Sequence, residues 1–221
     1  MMKINFPVLD EPILINRSTC LVIEDVQVFA KVVQLFYQYE GEGDLKLFDD
    51  KQRAVKPAEL MIVIDVLGFE INSAATLKLI YADLEEQLNE NLEIKGKIES
   101  LVANIGDLLA EELIEQELDL QSGELTILDL FKVFNIRIET RSDTIFEKVL
   151  EIIQVFKYLV KKKLLVLINV STFLTQQERL ELEKQISLQE IDVLFLEPRK
   201  VSGIKQLVLD KDYFLLEENM I

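Results

Sequence analysis

The sequence predicts an α/β protein in which a mostly parallel sheet domain carries an inserted, all-helical domain. Short apolar runs typical of buried strands alternate with amphipathic helical patterns towards both ends of the chain. The middle of the chain follows the helical period alone. We therefore predict a discontinuous α/β head at residues 1–72 and 136–221, and a helical leg at residues 73–135.

The first part of the head predicts a strand that leads directly into a helix. Residues 19–23 form an apolar run typical of a buried strand, and Asp25 is a suitable N-cap for a helix with apolar residues at helical spacing from Val26 to Phe36. Two further strands are predicted at residues 45–48 and 61–65, and we expect parallel pairing.

The predicted leg begins at Asn72-Ser73, where Ser73 is a good N-cap. Apolar residues then recur at helical spacing to about Phe134, with a break at Gly123. A helix of about 20 residues spans about 30 Å. Two such helices would form a hairpin-like projection from the head.

The α/β pattern returns after the leg. Residues 136–139 predict a strand, and Ser142-Asp143 opens a helix that Lys161, Lys162 and Lys163 close. Residues 164–168 and 192–196 predict buried strands. A polar surface helix is expected at 175–185, and edge strands at 207–209 and 213–216.

Residue types that common active sites need are missing. The chain has no histidine, which excludes serine and cysteine triads that use histidine. It also lacks a glycine-rich phosphate loop after the first buried strand. That strand ends at residue 23 and is joined to the predicted helix by Glu24-Asp25, two carboxylates that would repel a phosphate. The strand ending at Ile168 is followed by Asn169 rather than by a carboxylate for Mg²⁺. We expect a degenerate P-loop-NTPase-like head without a P-loop, which binds rather than catalyses.

The negative charge is concentrated in one segment. The chain has a formal net charge of -16, and residues 81–129 alone hold fourteen Asp or Glu and two Lys. A basic segment, residues 130–163, follows directly. Clustered carboxylates with a flexible turn suit Ca²⁺ better than Mg²⁺, although on the pattern alone a solvated acidic helix face is the more common explanation.

Several segments resemble one family, the accessory adaptation protein of subtype II-A CRISPR systems. The most specific are Ser142-Asp-Thr-Ile-Phe-Glu-Lys148, Phe156-Lys-Tyr158, Lys161-Lys-Lys-Leu-Leu165, Val193-Leu-Phe-Leu-Glu-Pro198 and Asp212-Tyr-Phe214. Less specific ones include Leu9-Asp-Glu-Pro-Ile13, Leu45-Lys-Leu-Phe-Asp49 and Glu117-Leu-Asp-Leu120. They occur in order along nearly the whole chain.

The resemblance implies a homotetrameric ring that binds double-stranded DNA ends without sequence preference, depends on Ca²⁺ and supports spacer acquisition. Its implied partners are the CRISPR integrase pair and the RNA-guided nuclease. Transfer of the family's acidic site to this sequence gives the calcium ligands Glu117, Asp119, Glu124 and Asp129. The DNA-binding candidates are Lys132, Arg137, Arg141, Lys161, Lys162 and Lys163.

Two other functions fit the same residues. The acidic cluster would also suit a carboxylate-metal-dependent nuclease, and the overall acidity with an amphipathic leg would suit a protein-interaction adaptor. The single cysteine, Cys20, predicts a buried side chain in a reducing compartment. No apolar run is long enough for a membrane helix and no export signal is visible at the N-terminus, so we expect a cytoplasmic protein.

Overall fold

The computed structural model describes residues 2–114, 118, 120, 123–140, 142–159 and 161–219. The chain divides into two compact units, an α/β unit of residues 1–69 and 140–221 and a helical unit of residues 70–139. The predicted domain boundaries fall within a few residues of this division. In the described ranges, no helix has the length and apolar character required to cross a membrane.

The α/β unit is built on a six-stranded sheet with a mostly parallel arrangement, as predicted. Its strands are β3 (Ser18–Ile23), β5 (Leu60–Val63), β6 (Leu164–Ile168), β7 (Val193–Glu197), β8 (Lys205–Leu209) and β9 (Leu215–Asn219). The order across the sheet is β5-β6-β7-β3-β8-β9, and only β9 runs antiparallel to its neighbour. β6 and β7 are buried along their whole length, which explains their uninterrupted apolar sequences.

Helices cover both faces of this sheet. Helix α1 (Val26–Tyr37) contributes Val32 and Phe36 to the core on one face. Helices α5 (Ile145–Tyr158) and α6 (Gln176–Gln189) contribute Ile152, Leu182 and other side chains to the core on the opposite face. The sheet therefore has helices packed on both faces, as expected for parallel strands, and residues of the N-terminal segments share the core on the α1 face.

A second, smaller sheet was not predicted. It has the order β2-β1-β4, with β1 (Met2–Asn5), β2 (Ile13–Ile15) and β4 (Lys46–Phe48) all antiparallel. The expected parallel pairing of residues 45–48 is therefore wrong, because β4 pairs with β1 at the start of the chain. Strand β8 is also not an edge strand, since β9 covers its outer side.

Capping side chains explain where the helices begin. The carboxylate of Asp25 accepts hydrogen bonds from the backbone N–H groups of Gln27 and Val28, which confirms the predicted cap of α1. Helix α5 instead begins after Thr144, two residues later than Ser142, because Thr144 forms a capping box with Glu147. It ends at Tyr158, so the three lysines follow the helix rather than close it.

The helical unit contains α2 (Ala74–Glu90), α3 (Leu92–Ile114) and the short α4 (Ile127–Val133). Ser73 caps α2 as predicted. The strand predicted at residues 136–139 is absent. The side chain of Asn72 accepts a hydrogen bond from the backbone N–H of Ile138 and donates one to its carbonyl. The Tyr81 hydroxyl donates a hydrogen bond to the carbonyl of Ile136. Side chains thus satisfy groups that a neighbouring strand would have paired.

Candidate metal and nucleic-acid sites

Two of the four predicted calcium ligands, Glu124 and Asp129, lie around the start of α4. Glu117 and Asp119 are outside the described residues, and Glu124 is exposed just before the helix. Asp129 is the third residue of α4 and forms a capping box with Thr126. Its Oδ2 accepts hydrogen bonds from the Thr126 hydroxyl at 2.5 Å and the Thr126 N–H at 3.3 Å. Its Oδ1 contacts the ammonium group of Lys132 at 2.9 Å.

These contacts hold Asp129 in its charged form. The hydrogen bond from the Thr126 hydroxyl, and then the one from Lys132, lower the pKa of Asp129 to about 2. An ionised carboxylate is the oxygen ligand that Ca²⁺ prefers, so Asp129 fits the predicted donor set chemically. A bound ion would have to compete with Lys132 for its oxygens. Among the described residues alone, no three acidic or cysteine side chains are grouped closely enough to hold a metal.

The cations predicted to contact DNA have unequal surroundings in the helical unit. Lys132 is exposed, but its ammonium group is paired with Asp129. Arg137 is exposed, and its guanidinium has no ion pair or hydrogen bond with any described residue. Arg141 belongs to the α/β unit and is outside the described residues. Of the two described candidates, Lys132 and Arg137, Arg137 is the one without a charged partner among the described residues, so its charge can meet a phosphate.

The three consecutive lysines, Lys161, Lys162 and Lys163, differ in exposure and in the partners of their ammonium groups. Lys161 is exposed, and the described part of the chain offers it no charged or hydrogen-bonding partner. Lys162 is half-buried and donates to the carbonyl of Leu60 at 2.7 Å, and burial lowers its pKa. Lys163 pairs with Glu59 at 2.8 Å and with Asp49 at 3.4 Å. Two of these three ammonium groups are thus committed to contacts within the α/β unit.

Asp49 is the centre of an ion-pair cluster that also contains Arg53, Glu59 and Lys163. The sequence did not predict a functional or structural role for it. It is buried just after β4, and Arg53 binds its Oδ2 through Nε at 3.0 Å and Nη2 at 2.8 Å. Its Oδ1 accepts the N–H groups of Lys51 and Arg53 at 3.0 Å and 2.9 Å. The hydrogen bonds from Arg53, above all, hold the pKa of Asp49 well below its usual range. Lys163 is 114 residues away along the chain, so no local pattern marks the pair.

We expect Asp49→Asn to destabilise the α/β unit at neutral pH. A carboxyl group whose pKa is lowered by folding stabilises the native state above its unfolded pKa, and the effect is lost as the pH falls through the folded value. The stability difference between wild type and variant should therefore be largest near pH 7. It should shrink below about pH 4, the ordinary range of aspartate. Urea unfolding at several pH values measures this, and the exposed Asp50→Asn is the matched control.

The carboxyl edge of the large sheet is occupied by the chain's own charges. After β3, the carboxylate of Asp25 takes the first N–H groups of α1, where a nucleotide phosphate would otherwise bind. Glu24 lies 3.7 Å from the ammonium of Lys200, which also binds Glu218 at 2.8 Å. At the end of β7, the buried Glu197 accepts the N–H of Ser171 at 2.9 Å, and burial raises the pKa of Glu197. This edge is unsuited to a polyphosphate.

Comparison with known proteins decides the family. The family model described as CRISPR-associated protein (Cas_Csn2) matches residues 38–213. The chain belongs to this family. The resemblance found in its segments is thereby confirmed, and it places the chain among CRISPR-associated proteins.

Curated Csn2 proteins match the whole chain. The CRISPR-associated protein Csn2 of Streptococcus agalactiae is 54% identical over 221 residues, which cover 100% of both chains. That of Enterococcus faecalis is 52% identical over 217 residues, or 98% of this chain and 99% of the relative. The crystal structure of Stu0660 of Streptococcus thermophilus is similar with a TM-score of 0.58 and 16% identity, covering 99% of this chain and 76% of that one. At that identity the likeness concerns the fold alone.

Proposed function

We propose that this Csn2-family chain forms a homotetrameric ring in the cytoplasm and binds the ends of double-stranded DNA without sequence preference. Binding depends on Ca²⁺ and serves the acquisition of new CRISPR spacers, with the integrase pair and the RNA-guided nuclease as partners. Family membership over the full chain carries the proposal, because the resemblance implies each of these properties. The role is non-catalytic, and the head is similar to P-loop NTPases without binding a nucleotide.

An exposed apolar face on α3 supports the assembly. Leu101, Ile105 and Leu108 are 63%, 58% and 65% exposed. Their spacing of four and three residues puts them on one side of the helix, and no residue of α3 is buried. Contiguous exposed apolar surface of this kind typically marks an interface between proteins. A second copy of the chain would cover it in the ring.

Electrostatics supports the need for calcium. A chain with a net charge of -16 repels DNA unless cations screen its acidic segment. Ca²⁺ bound by Glu117, Asp119, Glu124 and Asp129 would supply that charge and order the start of α4. Among the described candidates, Arg137 and Lys161 have no charged partner in the described ranges and are the ones we propose for phosphate contacts, and the resulting binding weakens with salt. Calcium thus has a structural role and takes no part in catalysis.

Gel shifts on matched linear and closed circular duplexes test the proposal. We expect retention of linear DNA with Ca²⁺, little retention of circular DNA, and loss of retention with EGTA. A ring must be threaded from an end, which a closed circle lacks. Equal binding of the two forms, or binding that ignores the chelator, would contradict it. Cleavage of the linear DNA with Mg²⁺ or Mn²⁺ would instead favour the nuclease.

Lys132→Ala should strengthen calcium binding if Asp129 is a ligand. The substitution frees an Asp129 oxygen and removes a nearby positive charge, an effect of about 1 kcal/mol or several-fold in affinity. Isothermal titration with CaCl₂ measures it. Lys97→Ala is the matched control, since Lys97 forms a similar exposed ion pair with Glu93 in the same unit. Equal affinities of the two variants would remove Asp129 from the ligand set.

A further inference from the structure

Strand β9 leaves one edge of the large sheet open. It pairs with β8 on its inner side, and in the described ranges no strand pairs with its outer side. An open edge presents a row of backbone N–H and C=O groups that an extended segment from another protein can pair with. Natural proteins often block such edges with proline, a bulge or an inward charge. Strand β9 has no proline and pairs regularly with β8 from Leu215 to Asn219, so the charges of Glu217 and Glu218 are the blocking feature that it carries. These charges oppose an acidic strand but not a basic one.

An apolar turn leads directly into this open edge. Tyr213 and Phe214 are 51% and 67% exposed, and Leu215 and Leu216 that follow them are also exposed. The turn is well built, because the Asp210 carboxylate accepts the N–H groups of Asp212 and Phe214, each at 2.9 Å. Tyr213 adopts a φ of 66°, which is unfavourable for a bulky residue. The turn thus holds two aromatic side chains outside the core at a conformational cost.

The charges of β9 indicate what binds there. Alternation along the strand puts Leu215 and Glu217 on one face and Leu216 and Glu218 on the other. Glu217 is ion-paired with Lys205 and Glu218 with Lys200. A carboxylate can accept about four hydrogen bonds, so each keeps capacity for a second donor. Each face therefore offers one leucine and one glutamate to a partner strand.

A second copy of β9 is a poor occupant. A two-fold antiparallel pairing centred on Glu217 would align all five residues of the strand. It would also put the two Glu217 carboxylates directly opposite each other, where like charges are destabilising. The net charge of -16 on each chain adds repulsion at longer range. Charge complementarity favours a partner with basic residues at these positions.

We infer that the outer edge of β9, together with Tyr213 and Phe214, docks an extended segment of a different protein. In that segment two basic residues precede two apolar ones. Added antiparallel to β9, its basic residues lie opposite Glu218 and Glu217 and its apolar residues opposite Leu216 and Leu215. This interaction goes beyond ring formation and DNA binding, and its failure would leave both unaffected.

Fluorescence anisotropy with a labelled peptide tests the inference. The probe has the core Lys-Lys-Val-Val flanked by threonines, and we expect saturable binding to the full chain. A peptide with the same side chains but N-methylated backbone on alternate residues should lose binding, because it lacks the N–H groups that pair with β9. A Glu-Glu-Val-Val peptide should bind more weakly. Failure of the first probe to bind, or equal binding of the methylated one, would overturn the inference.

Matched variants locate the site on the chain. Phe214→Ser should weaken peptide binding by about tenfold, the effect of removing an aromatic anchor from an interface. Leu188→Ser should not, although Leu188 is 68% exposed on α6 of the same unit. Glu217→Lys should weaken binding more than Glu42→Lys, which makes the same change of net charge at an exposed turn. If Phe214→Ser instead reduced self-association, the occupant would be a second copy and the inference would be wrong.

Discussion

Replacement of Leu101, Ile105 and Leu108 by serine should dissociate the proposed ring and abolish the proposed calcium-dependent retention of linear DNA. The three side chains form the exposed apolar face of α3, so their loss removes the area that we propose to hold neighbouring copies together. Retention should fall by roughly a hundredfold or more, because linked binding sites commonly gain 10² to 10⁴ in avidity. Sedimentation velocity with Ca²⁺ measures the assembly, and gel shifts measure the DNA binding.

The same number of exposed apolar residues outside α3 provides the control. Serine at Val26, Tyr37 and Leu188, all exposed in the α/β unit, should leave the assembly and DNA retention as in the wild type. Circular dichroism should show that both triple variants keep their helices, since none of the replaced side chains is in the core. A serine variant of α3 that still sediments as a tetramer would contradict the proposed interface.

Phe36→Ala should destabilise the α/β unit by ~3–5 kcal/mol, the usual cost of a large cavity in a core. The Phe36 ring is fully buried beneath the large sheet, in a cluster with Leu21, Ile23 and Leu196. Backbone shifts cannot fill the space easily, because the strands above it are hydrogen-bonded on both sides. Urea unfolding followed by circular dichroism measures the change.

The next residue is the matched control for this cavity. Tyr37 is 76% exposed, so Tyr37→Ala removes an aromatic ring from the same helix without opening the core. We expect its effect to stay within about 0.5 kcal/mol, as is usual for surface substitutions. A Phe36→Ala variant as stable as Tyr37→Ala would mean that this face of the sheet is not packed as described.

Local signals predicted the elements that depend on nearby residues. Asp25 caps α1 and Ser73 caps α2 as expected, because a cap bonds N–H groups only two or three residues ahead. The buried strands β6 and β7 were recognisable from uninterrupted apolar runs. The helix that begins after Thr144 was shifted by two residues, since Ser142, Asp143 and Thr144 are all acceptable caps and only the reciprocal bond with Glu147 decides between them.

The errors concern partners that are distant along the chain. Residues 45–48 were correctly predicted as a strand, but the pattern could not reveal that their neighbour is β1 rather than β5. Residues 136–139 alternate like a strand, yet Asn72 and Tyr81 take their backbone groups. In the candidate site, Glu117, Asp119 and Arg141 remain predictions outside the described residues, and Glu124 and Asp129 remain predictions near α4.

The sequence by itself determined the α/β class, the helical insertion, the starts of α1, α2 and α6 and, through its shared segments, the Csn2 family. The first three properties follow from hydrophobic periodicity and from capping within a few residues. The family follows from short sequence segments that occur in the same order along the chain. Only the tertiary structure decided which of the three lysines has a charged partner among the described residues. Lys161 is exposed, while Lys163 binds the buried Asp49. An ion pair forms where folding brings a carboxylate close to a lysine, and the neighbouring residues in the sequence do not reveal that position.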